Sequence, residues 1–384
     1  CGRGLPAVIQ QIFLQKDWEV GRFLFPDAVL LHAQRSADRA GFGSSIRTGI
    51  KRYGEPGQYL ITGATLRRVS CEGRRHSDKN TRARCKTLLA ETRHEKNRGL
   101  SPARNTGMSH AKGQYIWFMD PDDYVENHVL HEVYQALQEN SAELTIIGHK
   151  EEYYDHDGKI SYTHEICPKR QYFSNKQKMR EHVIYLEQET IYGYAWNKFY
   201  SLEHIKKEHL QYETVRLIED IVFNIQFCQN IQAMNILDIA PYHYAKRMEG
   251  SLTTKFVPDY YPLHRRRIAM LYEQQCFWKT DTEEACAILG SLYGRYILSA
   301  LERNCDKRAG MSHRDRVDFC RKIFTDELFE KLVLRAKARD SKALKLALFC
   351  MKKKSVFLCT ALARMVHIIR SGLPMVYSKV KSSR

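Results

Sequence analysis

No run in this 384-residue chain is apolar for long enough to cross a bilayer as a helix, and no signal-peptide pattern is present. Membrane-spanning helices are therefore not expected. Close cysteine pairs are missing too. The eleven cysteines are irregularly spaced and odd in number, so neither a zinc site nor a disulfide framework is indicated. Reduced thiols in a cytoplasmic protein, touching at most the inner face of the cell membrane, are the expectation. No internal repeat is evident, and no motif of a known RNA- or DNA-binding module is found. Cys1 stands where a Met would be expected, which suits a shortened sequence better than a lipidated mature N-terminus.

What is present bounds the answer further. A hydrophobic content of 43% permits a real core, and the length suits one large α/β domain with a helical extension. Sixty-one Lys and Arg against 44 Asp and Glu give a net charge of +17. Such a chain can bind nucleic acid through phosphates. Without a recognition motif, no nucleic-acid partner is expected, and a basic nucleic-acid-binding protein is kept only as an alternative.

The most informative stretch runs from Asn97 to Asp123. Ser101 can cap a helix, Pro102 suits its first position and Gly113 suits the residue past its end. Ala103, Gly107 and Ala111 recur on one face, small enough to pack closely on a sheet. Arg104 and Asn105 point elsewhere and remain open to polar contacts. Tyr115 to Met119 is apolar, too short for a helix and rich in strand formers, so it reads as a buried strand. Asp120, Asp122 and Asp123 stand at its carboxyl end, where open α/β sheets place ligands. Three carboxylates within four residues repel one another unless they are solvated or share a cation. Mg²⁺ and Mn²⁺ accept such oxygens, one or two from protein and the rest from phosphates and water. A solvated turn capping a helix near Asn127 is the plainer reading of the cluster taken alone.

The order Asn97-x-Gly99-x-Ser101-x-Ala103-Arg104-Asn105-x-Gly107, Ala111-x-Gly113-x-Tyr115-Ile116 and Asp120-Pro121-Asp122-Asp123 resembles the centre of a family 2 glycosyltransferase. Pro121 departs mildly from the usual Ser and leaves the carboxylates in place. Downstream, Trp196-Asn197-Lys198 and Leu217-Ile218-Glu219-Asp220-Ile221-x-Phe223 are similar to that family's acceptor-side segments. Tyr242-His243-Tyr244-x-x-Arg247-x-x-x-Ser251 is similar to its closing segment. The resemblance covers about residues 97 to 251. It implies an α/β, GT-A (Rossmann-like) nucleotide-binding sheet with helices on both faces, followed here by a helical C-terminal extension. It also implies inverting sugar transfer from a nucleotide-sugar donor, expected to be a UDP-sugar, to a saccharide or lipid-linked acceptor in surface polysaccharide assembly.

Site residues follow from the same resemblance. Asp120 and Asp122 would hold Mn²⁺ or Mg²⁺, with His243 as a further ligand or simply a core hydrogen-bonding residue. Asn97, Gly99, Arg104, Asn105, Asp120 and Arg247 would bind the donor, Arg247 by charge-assisted bonds to the diphosphate. Trp196, Asn197 and Lys198 would face the acceptor, although Trp196 could equally be an aromatic core residue. Glu219 and Asp220 should open a helix whose N-terminal N–H groups keep a carboxylate ionised. Asp220 would then take the acceptor proton as base. Dipole pairing on a surface helix is the plainer reading of that pair.

The first 96 residues do not fit. The family's opening strand with its Pro-x-Tyr-Asn-like turn, and the Asp-Asp-Gly-Ser that holds uracil and ribose, are not visible. Arg67 to Arg98 carries eleven Lys and Arg against four Asp and Glu, with little core-forming periodicity. Either this part is divergent or it is read in a shifted frame, since Gly73-Arg74-Arg75-His76 can be encoded so that a one-base shift reads Asp-Asp-Gly-Thr. Expected segments are residues 1–96, aberrant or divergent; 97–261, the metal and acceptor side; and 262–384, basic and helical. A catalytically inactive remnant is the remaining alternative.

At the C-terminus, apolar stretches at 344–350 and 356–369 flank Lys352-Lys353-Lys354. Two readings stand. One is a helix on an anionic membrane surface, giving peripheral contact; the other is a helical subdomain whose charged side faces water.

Overall fold

The computed structural model describes residues 98–120, 122–155, 157–247, 256–338 and 342–372, together with the backbone of five N-terminal strands. Those strands are β1 (Ile9–Lys16), β2 (Val20–Phe25), β3 (Ala28–Ala33), β4 (Tyr59–Thr65) and β5 (Leu88–Arg93). Then come α1 (Leu100–His110), β6 (Tyr115–Met119), β7 (Tyr124–Val125), α2 (Val129–Glu139), β8 (Leu144–Ile146), β9 (His149–Tyr154), β10 (Ile160–Ile166) and β11 (Gln171–Phe173). The chain continues with α3 (Lys176–Gln188), β12 (Lys198–Ser201), α4 (Leu202–Lys207), α5 (Glu219–Cys228), β13 (Met234–Ile236) and β14 (Tyr242–Lys246). Helices complete it: α6 (Tyr260–Trp278), α7 (Glu283–Arg303), α8 (His313–Phe324), α9 (Glu327–Leu332), α10 (Lys342–Lys352) and α11 (Val356–Gly372).

The chain divides into two units. The first holds residues 1–176, 193–215 and 226–247; the second holds 177–192, 216–225 and 248–384. The first is α/β. Its main sheet runs β11-β13-β8-β12-β6-β1-β4-β5, with β6 parallel to β1 and antiparallel to β12. A smaller sheet, β10-β9-β14-β7, lies beside it in sequence order, with β14 parallel to β9.

β6 explains why this becomes a layered fold. Ile116 to Met119 are all buried, as the unbroken apolar run requires of a strand covered on both faces. Trp117 and Met119 point to one side and pack with Val129, Val133 and Leu137 of α2. Phe118 points to the other, meeting Tyr200 and Tyr212 edge-on at 5.7 and 5.2 Å, with Arg104 of α1 over its ring. Helices therefore cover both faces, as expected of this α/β class.

Local expectations fare unevenly. Ala103, Gly107 and Ala111 are buried together, as their spacing predicts. The helix boundary differs: α1 begins at Leu100, its cap residue is Gly99 at φ 93°, and Ser101 lies buried inside it with no capping bond. That φ is open to glycine at little cost, so the backbone itself makes the turn. The Tyr-rich stretch after Glu151 forms the β9–β10 hairpin. Gly148, which precedes β9, donates its N–H to Ile239 at 2.7 Å, and a Cβ there would come within 2.9 Å of the Ile239 carbonyl oxygen and of Pro168. Only glycine fits that approach.

The second unit is built from helices, several firmly capped. Thr282 accepts from Ala285 N at the start of α7, and Ser312 and Asp315 form a reciprocal capping box on α8. Among the described residues, no helix is long and apolar enough to cross a membrane.

Candidate active site

The acidic turn after β6 separates its three carboxylates. Asp123 turns inward and is 1% exposed. Its Oδ2 accepts from the Tyr242 hydroxyl at 2.7 Å, and its Oδ1 accepts from the Ala245 amide at 2.9 Å. Tyr242, fully buried, also receives the Asp120 N–H at 3.2 Å. One tyrosine thus ties both ends of the turn to β14. Burial, then the charges of Asp120 and Asp122, push the Asp123 carboxyl well above the usual range.

Asp120 and Asp122 face outward, with side chains 28% and 55% exposed. The Arg104 guanidinium lies 3.3 Å from Asp120 Oδ1. Arg104 itself is buried, its charge sandwiched 5.8 Å from the Phe118 ring and 4.9 Å from Tyr212. Planar guanidinium suits such a slot because it is weakly hydrated and stacks on aromatic faces. Asn105 grips the Tyr212 backbone in both directions, donating to its carbonyl at 2.9 Å and accepting its N–H at 2.7 Å. Asn105 therefore fixes the wall behind Arg104. These two bonds give Asn105 a structural role beside the donor-contact role expected of it.

Arg247 stands 3.9 Å from Asp122 Oδ2, with its guanidinium 5.4 Å over the Tyr154 ring. Both members of this pair are about half exposed. Tyr154 is itself held, since its hydroxyl donates to Glu152 at 3.0 Å. Burial and then Glu152 push that hydroxyl up to about 12. Glu152 is buried and also accepts from Tyr124 at 2.7 Å. Sequence reasoning missed Tyr124, Glu152 and Tyr154; the Tyr-rich hairpin was the only signal.

Three expectations are corrected. His243 stacks on Tyr124 at 4.2 Å, with Nδ1 2.7 Å from Glu152 and Nε2 3.3 Å from Glu126. Both ring nitrogens face Glu152 and Glu126, so the ring is engaged with these carboxylates and not with Asp120 and Asp122. Glu126 is held below the usual carboxylate range, first by its bond from Lys150 at 2.6 Å. Trp196 is a core residue, stacked on Tyr242 at 4.3 Å and on Tyr194 at 4.6 Å. Asn197 and Lys198 are equally buried, so neither they nor Trp196 present an acceptor surface. The Lys198 ammonium donates to the Tyr194 carbonyl at 2.6 Å and to Asn197 at 2.8 Å. Buried polar groups in such closed brackets hold backbone in place.

Glu219 and Asp220 open α5 as predicted, in its first turn, and belong to the second unit. Gly99 is the helix cap already described. Asn97, Ser251 and the Gly73–His76 stretch lie outside the described residues. Among the described residues, no three His, Cys, Asp or Glu side chains are grouped to hold a metal ion. Asp120 and Asp122 remain an outward pair of hard oxygen donors. That number suffices for Mg²⁺ or Mn²⁺ when phosphates and water complete the shell.

Residues 76–206 match the family described as Glycosyl transferase family 2. The match covers about a third of the chain, and over it the chain is similar to family 2 glycosyltransferases. The matched stretch contains Arg104, β6 and the acidic turn; Glu219, Asp220, His243 and Arg247 lie beyond it. Among curated proteins, the chain is 28% identical over 161 residues to the uncharacterized glycosyltransferase EpsJ of Bacillus subtilis, covering 42% of this chain and 45% of that one. It is 37% identical over 70 residues to the glycosyltransferase GlyG of Streptococcus pneumoniae, covering 18% of this chain and 23% of that one. The chain thus spans less than half the length of these relatives. A crystal structure of S. aureus TarS 1–349 in complex with UDP-GlcNAc is similar over 71% of this chain and 72% of that one, at 16% identity and a TM-score of 0.44.

Proposed function

We propose that the chain is an inverting glycosyltransferase that moves a sugar from a nucleotide-sugar donor, a UDP-sugar, to a saccharide or lipid-linked acceptor in surface polysaccharide biosynthesis. One observation carries the reading. Within the family 2 segment, two outward carboxylates stand at the end of the central strand, with a buried arginine behind Asp120. TarS is named as a poly(ribitol-phosphate) β-N-acetylglucosaminyltransferase, which supports sugar transfer to a polymeric acceptor.

In this reading Asp120 and Asp122 hold Mn²⁺ or Mg²⁺. When bound, the ion would neutralise charge on the leaving diphosphate. The chain's own groups do the rest. Arg104 aims Asp120 through their 3.3 Å contact. Arg247, held loosely between Asp122 and Tyr154, can exchange its carboxylate for a diphosphate oxygen. Asp220 takes the proton of the acceptor hydroxyl, with Glu219 beside it in the same helical turn. Asp220 stands in the first turn of α5, where helix N–H groups favour negative charge. Peripheral membrane contact belongs to the same reading, because a lipid-linked acceptor resides at that surface.

Donor hydrolysis and transfer, followed with a panel of UDP-sugars and Mn²⁺, test the proposal. Asp220→Asn should abolish transfer while donor binding survives. Loss of donor binding in that variant would remove its assignment as base. An active chain rules out both an inert remnant and a nucleic-acid binder.

A further inference from the structure

The C-terminal helix α11 faces the wrong way for a water-soluble subdomain. Its outward positions are Phe357, Leu358, Ala361, Arg364, Met365, Ile368 and Ile369, an apolar stripe along the helix with one arginine at its edge. Phe357 is 77% exposed and Ile368 62%. Two polar side chains are turned in. His367 and Arg370 both reach the buried Glu302 of α7, at 2.9 and 2.7 Å. Cys359, Leu362 and Ala363 pack beneath. These two contacts with Glu302 fix the rotation of the helix and hold the apolar stripe outward. α10 adds Leu346 and Phe349 to the exposed apolar surface.

The surrounding charge identifies what covers this surface. From residue 341 to 384 there are ten Lys and Arg and no Asp or Glu. A second copy of the chain would bring the same positive charge against itself. An anionic lipid surface supplies both the apolar layer that the stripe needs and the negative charge that the lysines need.

We propose that α11, with the exposed edge of α10, is an interfacial helix. It lies in the plane of an anionic membrane with Phe357, Met365, Ile368 and Ile369 in the acyl boundary and the exposed Lys345, Lys353 and Arg364 at the headgroups; Lys352 and Lys354 are held instead by the Ala336 carbonyl and by Glu330. At 1.5 Å per residue the inserted helix is about 25 Å long. The inference deepens the peripheral membrane contact of the proposed function by naming the surface and the lipid charge that make it, and its test needs no transfer.

Co-sedimentation with phosphatidylcholine vesicles, with and without phosphatidylglycerol, tests it without any transfer assay. The full chain should bind the anionic vesicles and release them in high salt. The double substitution Phe357→Ser with Ile368→Ser should lower partitioning by about tenfold or more, and so should Lys353→Glu with Arg364→Glu. Both pairs lie at exposed positions, so circular dichroism should show an unchanged fold. Equal binding to neutral vesicles, binding that survives both double variants, or a concentration-dependent dimer that fails to bind vesicles would each overturn the proposal. Because vesicle binding and donor binding are read separately, either result can fail alone.

Discussion

The three aspartates after β6 should separate cleanly when each is removed. Asp123→Ala deletes a buried acceptor and leaves two buried donors, the Tyr242 hydroxyl and the Ala245 N–H, without partners. Each orphaned group costs about 1–3 kcal/mol. Relief of the carboxylate's own burial offsets part of this, so the net loss should be about 2–4 kcal/mol. For a unit of this size that lowers Tm by about 5–15 °C. Asp122→Ala removes a side chain that is 55% exposed and should leave stability within about 0.5 kcal/mol. Scanning calorimetry reads both. The pH dependence adds a sign. Burial raises the folded-state pKa of Asp123 above its unfolded value. Its contribution is therefore fullest in acid and is lost as pH rises through the folded pKa. Asp123→Asn mimics the protonated form and should be milder than the alanine change. If Asp123→Ala melts within a degree of the parent, or if Asp122→Ala melts far below it, the division of roles described here is wrong.

Other expectations are equally concrete. His149 is buried against Trp196 and Tyr194, and burial lowers its pKa from 6.5 to about 3. Its neutral form is the one that folds, so stability is complete above pH 6.5 and falls by up to ~1.4 kcal/mol per unit as pH drops toward 3. His149→Phe should flatten that part of the urea-denaturation profile; an unchanged slope would show that other groups cause the acid loss. Trp196→Ala should cost about 3–5 kcal/mol as a core truncation, read by urea denaturation. A normal denaturation midpoint with a raised acceptor KM would restore its acceptor role. Tyr154→Ala should weaken donor binding through Arg247, whereas Tyr154→Phe, which keeps the ring under the guanidinium, should retain most of it; calorimetric titration with a UDP-sugar separates the two.

The short-range features of this fold were legible. The apolar run at 115–119 could only be a covered strand. The small-residue face of α1 and the acidic first turn of α5 follow from helical spacing. What escaped was long-range partnership. Arg104 reads as a polar contact residue, yet Phe118 and Tyr212, the latter over a hundred positions away, bury it. Asp123 reads like its neighbours, and only Tyr242 and Ala245 single it out. Trp196, Asn197 and Lys198 look like an exposed polar-aromatic motif because nothing local reveals that β6 and β8 enclose β12. For α11, periodicity identifies two faces but cannot say which one points inward; Glu302, more than fifty residues earlier, decides it.

The central claim is that Asp120 and Asp122 share a divalent ion with a nucleotide diphosphate. Calorimetric titration of UDP into the protein, with Mn²⁺ and again with a chelator, tests it most directly when repeated on Asp122→Ala. Binding that requires Mn²⁺ and is lost in the variant is the expected result. UDP binding that is equally tight without the metal, or unchanged in Asp122→Ala, would contradict the account.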